Sequence, residues 1–173
     1  HKKTILNQKD IRDLTPEDIL KEAGLKKGEL DIFDGSPPCA NFSISGKREK
    51  HWGKVKEYSD TKQRSDDLFL EYIRILRGIK PKVFVAENVS GLIKGVAKGY
   101  FKIFLKGMKD AGYNVKAYLA NGKYLGVPQA RQRVFFIGIR NDIYEKMPKD
   151  FNLKLNFLHK PISVKEAINE IPI

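Results

Sequence analysis

The sequence has 173 residues, of which 41% are hydrophobic and 31% charged, and this length and composition suit one globular domain rather than a disordered chain. The longest apolar runs, such as Val83–Ala86, are far shorter than the roughly 20 residues of a membrane-spanning helix. With one cysteine, Cys39, the sequence excludes a disulfide framework and a zinc site of several thiolates, and it fits a reducing compartment. We therefore expect a cytoplasmic protein without a membrane segment.

Basic residues strongly outnumber acidic ones. The 33 lysines and arginines against 21 aspartates and glutamates give a formal net charge of +12. Such an excess favours a polyanionic partner, nucleic acid first, through phosphate contacts and counterion release. A lysine-rich surface without a partner remains the alternative on charge alone.

Hydrophobic spacing predicts the first elements in chain order. Leu30–Asp34 is a short apolar run that stops at Gly35–Pro38, which predicts a strand that enters a loop. The polar stretch Gly46–Arg64 lacks periodicity and predicts a long loop of the kind that often forms a functional lid. From Asp66, apolar residues recur at helical spacing up to Gly78, which predicts a helix that ends there.

The second half of the chain continues the alternation. Lys82–Glu87 predicts a buried strand, Tyr100–Ala111 a helix, and Asn114–Leu119 and Arg133–Ile139 two further strands. This order predicts an α/β fold with an open and mostly parallel sheet. In such folds the functional groups lie in loops beyond the carboxyl ends of the strands.

Two predicted strand ends carry candidate chemical groups. Cys39 follows Pro37 and Pro38, whose fixed φ angles stiffen the turn, so an accessible thiol with a lowered pKa could act there as a nucleophile. A buried cysteine that only packs is the alternative. Glu87 ends an apolar strand, where desolvation would raise the pKa of its carboxyl and allow it to donate a proton. An ordinary solvated carboxylate is the alternative for Glu87.

Two further segments carry basic side chains. Gln129, Arg131 and Arg133 alternate at period two, so an extended segment would direct all three to one side, towards a planar polar ligand or phosphates. Between Lys47 and Arg64, seven positive residues accompany three negative ones, with aromatic residues interleaved, which suits contacts to a nucleic-acid backbone. In both cases a solvated surface without a ligand is the alternative.

Three segments of this sequence, taken together and in this order, resemble the signature blocks of cytosine-C5 DNA methyltransferases. They are Gly35–Ser43, Glu87–Leu92 and Gly126–Arg133, within a likeness that extends from about Asp10 to Arg140. The resemblance implies a Rossmann-like sheet that binds S-adenosylmethionine, here incomplete because the segments that form the first strands in the family are missing. It also implies that residues 1–173 form part of a catalytic domain, without the target-recognition domain.

The resemblance also implies a mechanism. Cys39 would attack C6 of a flipped-out cytosine in double-stranded DNA, and Glu87 would bind the N3 edge of that base. Arg131, Arg133 and Gln129 would steady the base and the catalytic loop. Carbon 5 would then take a methyl group from S-adenosylmethionine, and loss of the C5 proton and of the thiolate would release the product. Restriction-modification is the setting that the family implies.

Cofactor and DNA contacts follow from the same likeness. Asp10 and Ile11 resemble the block whose acid contacts the adenine amino group, and Pro38 and Leu68 match further positions of the cofactor pocket. The loop residues expected to contact DNA are Ser45, Lys47, Arg48 and Lys50. Because the glycine-rich turn of the family's pocket is missing, we expect this chain alone to bind the cofactor weakly and to be inactive. The likeness implies no metal ion.

Two other functions remain alternatives. An RNA cytosine-C5 methyltransferase would use the same blocks. A non-catalytic nucleic-acid-binding relative would require none of Cys39, Glu87 and Arg131, so their joint presence argues against it. A zinc-dependent cytosine deaminase is excluded, because it needs a second cysteine three residues after the first, and Phe42 stands at that position.

Overall fold

The computed structural model of the chain describes residues 4–38, 56–58, 61–63, 67–154 and 159–169. Its strands, numbered along the chain, are β1 (Ile32–Gly35), β2 (Lys56–Tyr58), β3 (Thr61–Gln63), β4 (Val83–Val89), β5 (Tyr113–Asn121) and β6 (Gln132–Arg140). Its helices are α1 (Pro16–Ala23), α2 (Asp67–Ile79), α3 (Lys98–Asp110), α4 (Asn141–Tyr144) and α5 (Val164–Ile168). In this part of the chain, no helix is long and apolar enough to cross a bilayer.

Four of these strands form one sheet in the order β1-β4-β6-β5. β1 runs parallel to β4, whereas β6 runs antiparallel to both β4 and β5. The α/β prediction is confirmed, but the prediction of a mostly parallel sheet is wrong for these strands, because two of the three pairings are antiparallel. The connection from β5 to β6 is short, and a parallel pairing of these two strands would need a longer crossover.

The hydrophobic core lies between α2, α3 and one face of the sheet. Phe69 of α2 stacks on Phe104 of α3 with ring centroids 3.9 Å apart, and it meets Phe136 of β6 edge-on at 5.8 Å. In β4 alternate residues are buried, among them Phe84. Burial of each such phenylalanine contributes roughly 1.5–3 kcal/mol. This aromatic cluster therefore holds both helices against the strands that carry the candidate site.

The end of α2 differs from the sequence prediction. The helix continues past Gly78 to Ile79. Gly78 is instead a point of close approach, because a Cβ there would lie 2.2 Å from Cγ of Pro16, the first residue of α1. The chain leaves the helix at Lys80, whose φ of 55° lies in the left-handed region. The Lys80 ammonium donates to the Ala111 carbonyl oxygen at 2.6 Å and so joins the end of α2 to the end of α3.

Part of the stretch predicted as a loop forms a hairpin. β2 and β3 pair antiparallel, with Lys56 opposite Gln63 and Tyr58 opposite Thr61. Strands of three residues are too short to show a hydrophobic period, so the spacing of apolar residues cannot reveal them. The remainder of Gly46–Arg64 lies outside the described residues.

Candidate functional site

The carboxyl ends of β1 and β4 lie side by side, because the two strands are parallel neighbours. β1 leads into Ser36–Pro38, which we call the proline turn and which directly precedes Cys39. β4 carries Glu87 and Asn88 at its carboxyl end. The two strand ends singled out in the sequence therefore meet at one edge of the sheet.

Two side chains of β4 contact the proline turn. Asn88, only 2% exposed, donates from Nδ2 to the carbonyl oxygen of Pro37 at 3.3 Å. The side chain of Ser36 forms a hydrogen bond with the carboxyl of Glu87. A buried amide that loses its partner costs about 1–3 kcal/mol. The position of the turn, and of the backbone that leads to Cys39, is therefore coupled to β4.

Glu87 forms an ion pair with Arg133. Nε of Arg133 lies 2.7 Å from Oε1 of Glu87, and the side chains of Arg133 and Glu87 are 22% and 27% exposed. The register of the sheet brings them together: Glu87 pairs with Phe135, so Arg133, two residues earlier, is a diagonal neighbour on the same face. The partly buried pair fixes the direction of the carboxyl group.

The surroundings of Glu87 raise the pKa of its carboxyl above the ordinary value, and burial is the main cause. The positive charge of Arg131 and the hydrogen bond with Ser36 lower this pKa, whereas the negative charge of Asp34 raises it further. The ion pair with Arg133 favours the charged form, so a proton and Arg133 compete for the same carboxyl. A carboxyl whose charged and neutral forms are both favoured by neighbours is suited to donate a proton or a hydrogen bond to a ligand.

Gln129 and Arg131 lie outside any strand, so the period-two prediction for these residues is wrong. β6 begins one residue before Arg133, which is the only member of the triplet within it. The chain turns at Gly126, where φ is 78°, and Gln129 lies in the bend that follows, so the three residues do not share one strand. Arg131 is exposed, yet its charge acts on Glu87.

A cavity of about 380 Å³ opens beside the proline turn. The four residues expected to bind the cofactor, Asp10, Ile11, Pro38 and Leu68, all line it. The rest of its wall is formed by the end of β1, the proline turn and Tyr72 of α2. The fold therefore brings together residues that lie far apart in the sequence.

Asp10 has a fixed orientation at this cavity. Its carboxylate accepts hydrogen bonds from Nε and Nη2 of Arg12 at 2.9 and 2.7 Å, and from the backbone N–H of Arg12 at 2.9 Å. These side-chain and backbone hydrogen bonds lower the pKa of Asp10 to about 2, so the group is ionised at neutral pH. A carboxylate has about four acceptor positions, so one remains for an amino group of a ligand.

Tyr72, which in the sequence is one apolar member of a helical pattern, links the cavity wall to two strands. Its hydroxyl donates to the carbonyl oxygens of Val85 at 3.1 Å and Phe33 at 3.4 Å, and its ring stacks on that of Phe33. Gly35 fits against the ring, since a Cβ there would approach it to 2.6 Å. Sequence reasoning missed both Tyr72 and Asn88; for Asn88, a polar residue inside a buried strand was the available signal.

Several predicted site residues cannot be compared with this geometry. Cys39 and the expected DNA-contact residues Ser45, Lys47, Arg48 and Lys50 lie outside the described residues. Among the residues that the structure describes, no cluster of histidine, cysteine, aspartate and glutamate could hold a metal ion. The described part of the site is an acid–arginine pair, a turn and the adjoining cavity.

The chain matches the family described as C-5 cytosine-specific DNA methylase over residues 1–172. Type II methyltransferase M.NgoPII of Neisseria gonorrhoeae is 38% identical over 143 residues, which cover 83% of this chain and 37% of the relative. Type II methyltransferase M.SacI of Streptomyces achromogenes is 36% identical over 141 residues, which cover 82% of this chain and 34% of the relative. The chain thus spans about a third of the length of these curated relatives.

Solved methyltransferase structures share the fold. The crystal structure of a triple mutant of Spodoptera frugiperda DNMT2 is similar with a TM-score of 0.63 and 25% identity, covering 99% of this chain and 47% of that one. The methyltransferase EhMeth of Entamoeba histolytica is similar with a TM-score of 0.57 and 17% identity, covering 91% of this chain and 43% of that one. The sheet and its helices therefore have the arrangement found in these methyltransferases.

Proposed function

Because the chain belongs to the C-5 cytosine-specific DNA methylase family, we propose that the protein transfers a methyl group from S-adenosylmethionine to C5 of cytosine in duplex DNA. The observation that carries this proposal is that one short turn joins two sites. The proline turn lines the cavity that contains Asp10, and it also hydrogen-bonds Glu87 and Asn88 of β4. Cofactor and base would therefore both be held next to Cys39. The type II names of the relatives support a restriction-modification setting.

Cys39 is the proposed nucleophile. Carbon 5 of cytosine is a poor nucleophile until C6 is attacked, so a bond from the thiolate to C6 pushes an electron pair towards N3 and C5 and divides one difficult step into easier ones. C5 takes the electrophilic methyl group that S-adenosylmethionine supplies, and S-adenosylhomocysteine leaves with the electron pair of the broken sulfur–methyl bond. A base then removes the C5 proton, and the electron pair of that C–H bond restores the ring as the S–C6 bond breaks and the thiolate leaves.

Glu87 is proposed to bind the N3 edge of the cytosine. Burial raises the pKa of its carboxyl, which favours proton uptake by Glu87 and donation to N3 as negative charge develops on the ring. Arg133 orients the carboxyl through the 2.7 Å ion pair. Arg131 and Gln129 are proposed to steady the base and the loop that carries Cys39.

The residues of the cavity fit the adenine end of S-adenosylmethionine. Asp10 keeps an acceptor position for the amino group, and its low pKa keeps that acceptor ionised. Ile11, Pro38 and Leu68 offer apolar surfaces on which a flat ring can lie. We assign these four residues to cofactor binding as part of the proposal.

The DNA contacts belong to the proposal as well. A thiol cannot reach C6 inside a stacked duplex, so the target cytosine must flip out of the helix. Ser45, Lys47, Arg48 and Lys50 are proposed to contact the phosphates beside the flipped base, where lysine and arginine would displace counterions.

Methyl transfer tests the proposal. The protein as its gene encodes it is incubated with radiolabelled S-adenosylmethionine and either duplex DNA or transfer RNA, and the label is followed into 5-methylcytosine. We expect incorporation into DNA and none in a Cys39→Ser variant, because a serine hydroxyl is far less ionised and less nucleophilic than a thiol. Label in transfer RNA alone would replace the DNA assignment by the RNA alternative.

A mechanism-based substrate tests the nucleophile separately. Fluorine at C5 blocks the proton loss that precedes release of the enzyme, so duplex DNA with 5-fluorocytosine at the target should trap a covalent adduct. Peptide mapping should locate that adduct at Cys39. An adduct at any other residue, or full turnover by Cys39→Ser, would remove Cys39 from the mechanism.

A further inference from the structure

Arg74, in the middle of α2, holds the segment that carries Asp10 and Ile11. Its Nη2 donates to the carbonyl oxygens of Ile11 at 2.8 Å and Leu14 at 2.9 Å. Its Nε donates to Oε2 of Glu71, one turn earlier on the same helix, at 2.6 Å. One guanidinium therefore ties α2 to a segment that lies about 60 residues earlier in the chain.

Only arginine can make this set of contacts. The guanidinium is a planar fork with five N–H donors, so one nitrogen serves two carbonyl groups while another pairs with a carboxylate. The ion pair with Glu71 selects the side-chain direction that points the fork at the two carbonyls. A lysine at this position would keep the charge but would lose the fork.

The two carbonyl groups mark the two ends of one short turn. Ile11 begins the 3-10 turn that ends at Asp13, Leu14 follows it as the C-cap, and Asp10 is its N-cap. Because Arg74 bonds both ends, the backbone of this turn cannot move relative to α2 without breaking those bonds. α2 also supplies Leu68 and Tyr72 to the cavity wall. The position of Asp10 and Ile11 relative to the cavity residues of α2 is therefore held through Arg74.

We propose that Arg74 is a positioning residue for the cofactor site, one that sets affinity for S-adenosylmethionine without touching it. Arg74 is absent from the cavity lining, whereas Asp10, Ile11 and Leu68 are present in it. The inference rests on the proposed assignment of this cavity to S-adenosylmethionine. It adds a residue outside the cavity to the determinants of binding.

Arg77 provides a matched control. It lies almost one turn after Arg74 on α2, and its Nη2 donates to the Gly107 carbonyl oxygen of α3 at 3.4 Å, away from the cavity. Arg74→Met and Arg77→Met each remove one guanidinium from the same helix, with the loss of three hydrogen bonds at Arg74 and one at Arg77. Only the first removes the support of the turn that carries Asp10.

The test measures binding by calorimetry in the protein as its gene encodes it. Arg74→Met should weaken S-adenosylmethionine about tenfold or more, whereas Arg77→Met should change it by less than about twofold. Affinity for duplex DNA should respond alike in the two variants, whereas Tm should fall further in Arg74→Met, which loses three hydrogen bonds against one. Arg74→Lys should restore part of the lost affinity. In the absence of cofactor, hydrogen exchange at the amides of Arg12, Asp13 and Leu14 should accelerate in Arg74→Met alone.

The outcomes separate the inference from the proposed function. Equal affinity of Arg74→Met and Arg77→Met for S-adenosylmethionine would overturn the positioning role and leave the proposed function intact. Failure of the unaltered protein to bind S-adenosylmethionine would instead overturn the proposed function and the inference together. If Arg74→Met does not fold, Arg74→Lys and Glu71→Gln are compared with Arg77→Met instead. Unchanged affinity of both variants for S-adenosylmethionine would reject the positioning role of Arg74.

Discussion

At the scale of single residues, Glu87 is the point at which opposing influences meet. Burial favours its neutral form, while Arg131 favours the charged form through its charge and Ser36 through its hydrogen bond. Arg133, bonded at 2.7 Å, adds to the second group. Small changes in nearby charge therefore change the protonation of this carboxyl. A group that donates a proton to a ligand and then takes it back needs this property.

The pH dependence of methyl transfer should therefore follow the neighbours of Glu87. If the protonated carboxyl is the active form, activity falls as pH rises through its pKa. Asp34 raises that pKa, so Asp34→Asn should move the falling limb to lower pH; Arg131 lowers it, so Arg131→Gln should move the limb to higher pH. The profile of kcat/KM against pH measures both shifts.

Glu87→Gln is the control for that experiment. Its residual activity should show no falling limb of this origin, because the amide does not titrate. Shifts of the same sign in Asp34→Asn and Arg131→Gln would contradict the assignment of the limb to Glu87.

At the scale of elements, α2 organises the site. Its Phe69 packs in the core, and its Tyr72 contacts the strands and lines the cavity. The first residue of α1 packs against its Gly78. The contact at Gly78 leaves no room for a side chain, because Pro16 occupies the space that a Cβ would need. α1 and the segment before it are thereby held close to α2.

Two glycine substitutions should have opposite effects on stability. Gly78→Ala forces apart α1 and α2, and overpacking of this kind costs about 1–3 kcal/mol of the free energy of unfolding. Gly99→Ala, at the second residue of α3, meets no atom within 4 Å and should instead stabilise the protein by less than the roughly 0.5–1 kcal/mol of a helix-interior position. Denaturant unfolding of the two variants checks both signs. A stabilising Gly78→Ala would show that α1 does not hold that position.

The elements were predictable where apolar spacing is long and regular. The predicted strands 114–119 and 133–139 lie within the observed β5 and β6, and the predicted helix from Asp66 corresponds to α2. The spacing of apolar residues did not predict α1, because only Leu20 of its residues is buried. Its signals were local instead: Thr15 and Asp18 form a capping box, and Pro16 is the first helical residue. The direction of β6 depends on long-range pairing that no local pattern encodes.

The candidate site was predictable as residue types, and less so as an arrangement. The resemblance to the methyltransferase family assigned Asp10, Ile11, Pro38 and Leu68 to one expected pocket, and the structure brings them to one cavity. The pairing of Glu87 with Arg133 arises from the register between β4 and β6, which is a property of the sheet rather than of either segment. Spacing alone therefore grouped Arg133 with Gln129 and Arg131 instead.

At the scale of the whole molecule, the polar contacts at the two ends of the sheet strands differ in kind. The carboxyl ends of β1 and β4 carry the candidate site, whereas the opposite edge is held by Arg140. Nη1 of Arg140 donates to the carbonyl oxygens of Gly28 at 3.0 Å and Lys80 at 2.6 Å, and its Nε pairs with Asp142 at 2.7 Å. Polar contacts that stabilise the fold are thus separated from those proposed to act on a ligand.

The net charge of +12 predicts strongly salt-dependent DNA binding, and the two edges provide the test. Each phosphate contact that is lost should reduce the slope of log K against log salt by about 0.9. Lys47→Ala, Arg48→Ala and Lys50→Ala should each do so if these residues contact phosphates. Lys109→Ala is the matched control, because this exposed lysine lies in the last turn of α3, near Tyr113, which pairs with Arg140 at the edge opposite Glu87. Fluorescence anisotropy across a salt series measures the slopes. Equal slopes for Lys109→Ala and the three loop variants would mean that DNA binding depends on the overall charge alone and not on contacts from the proposed loop.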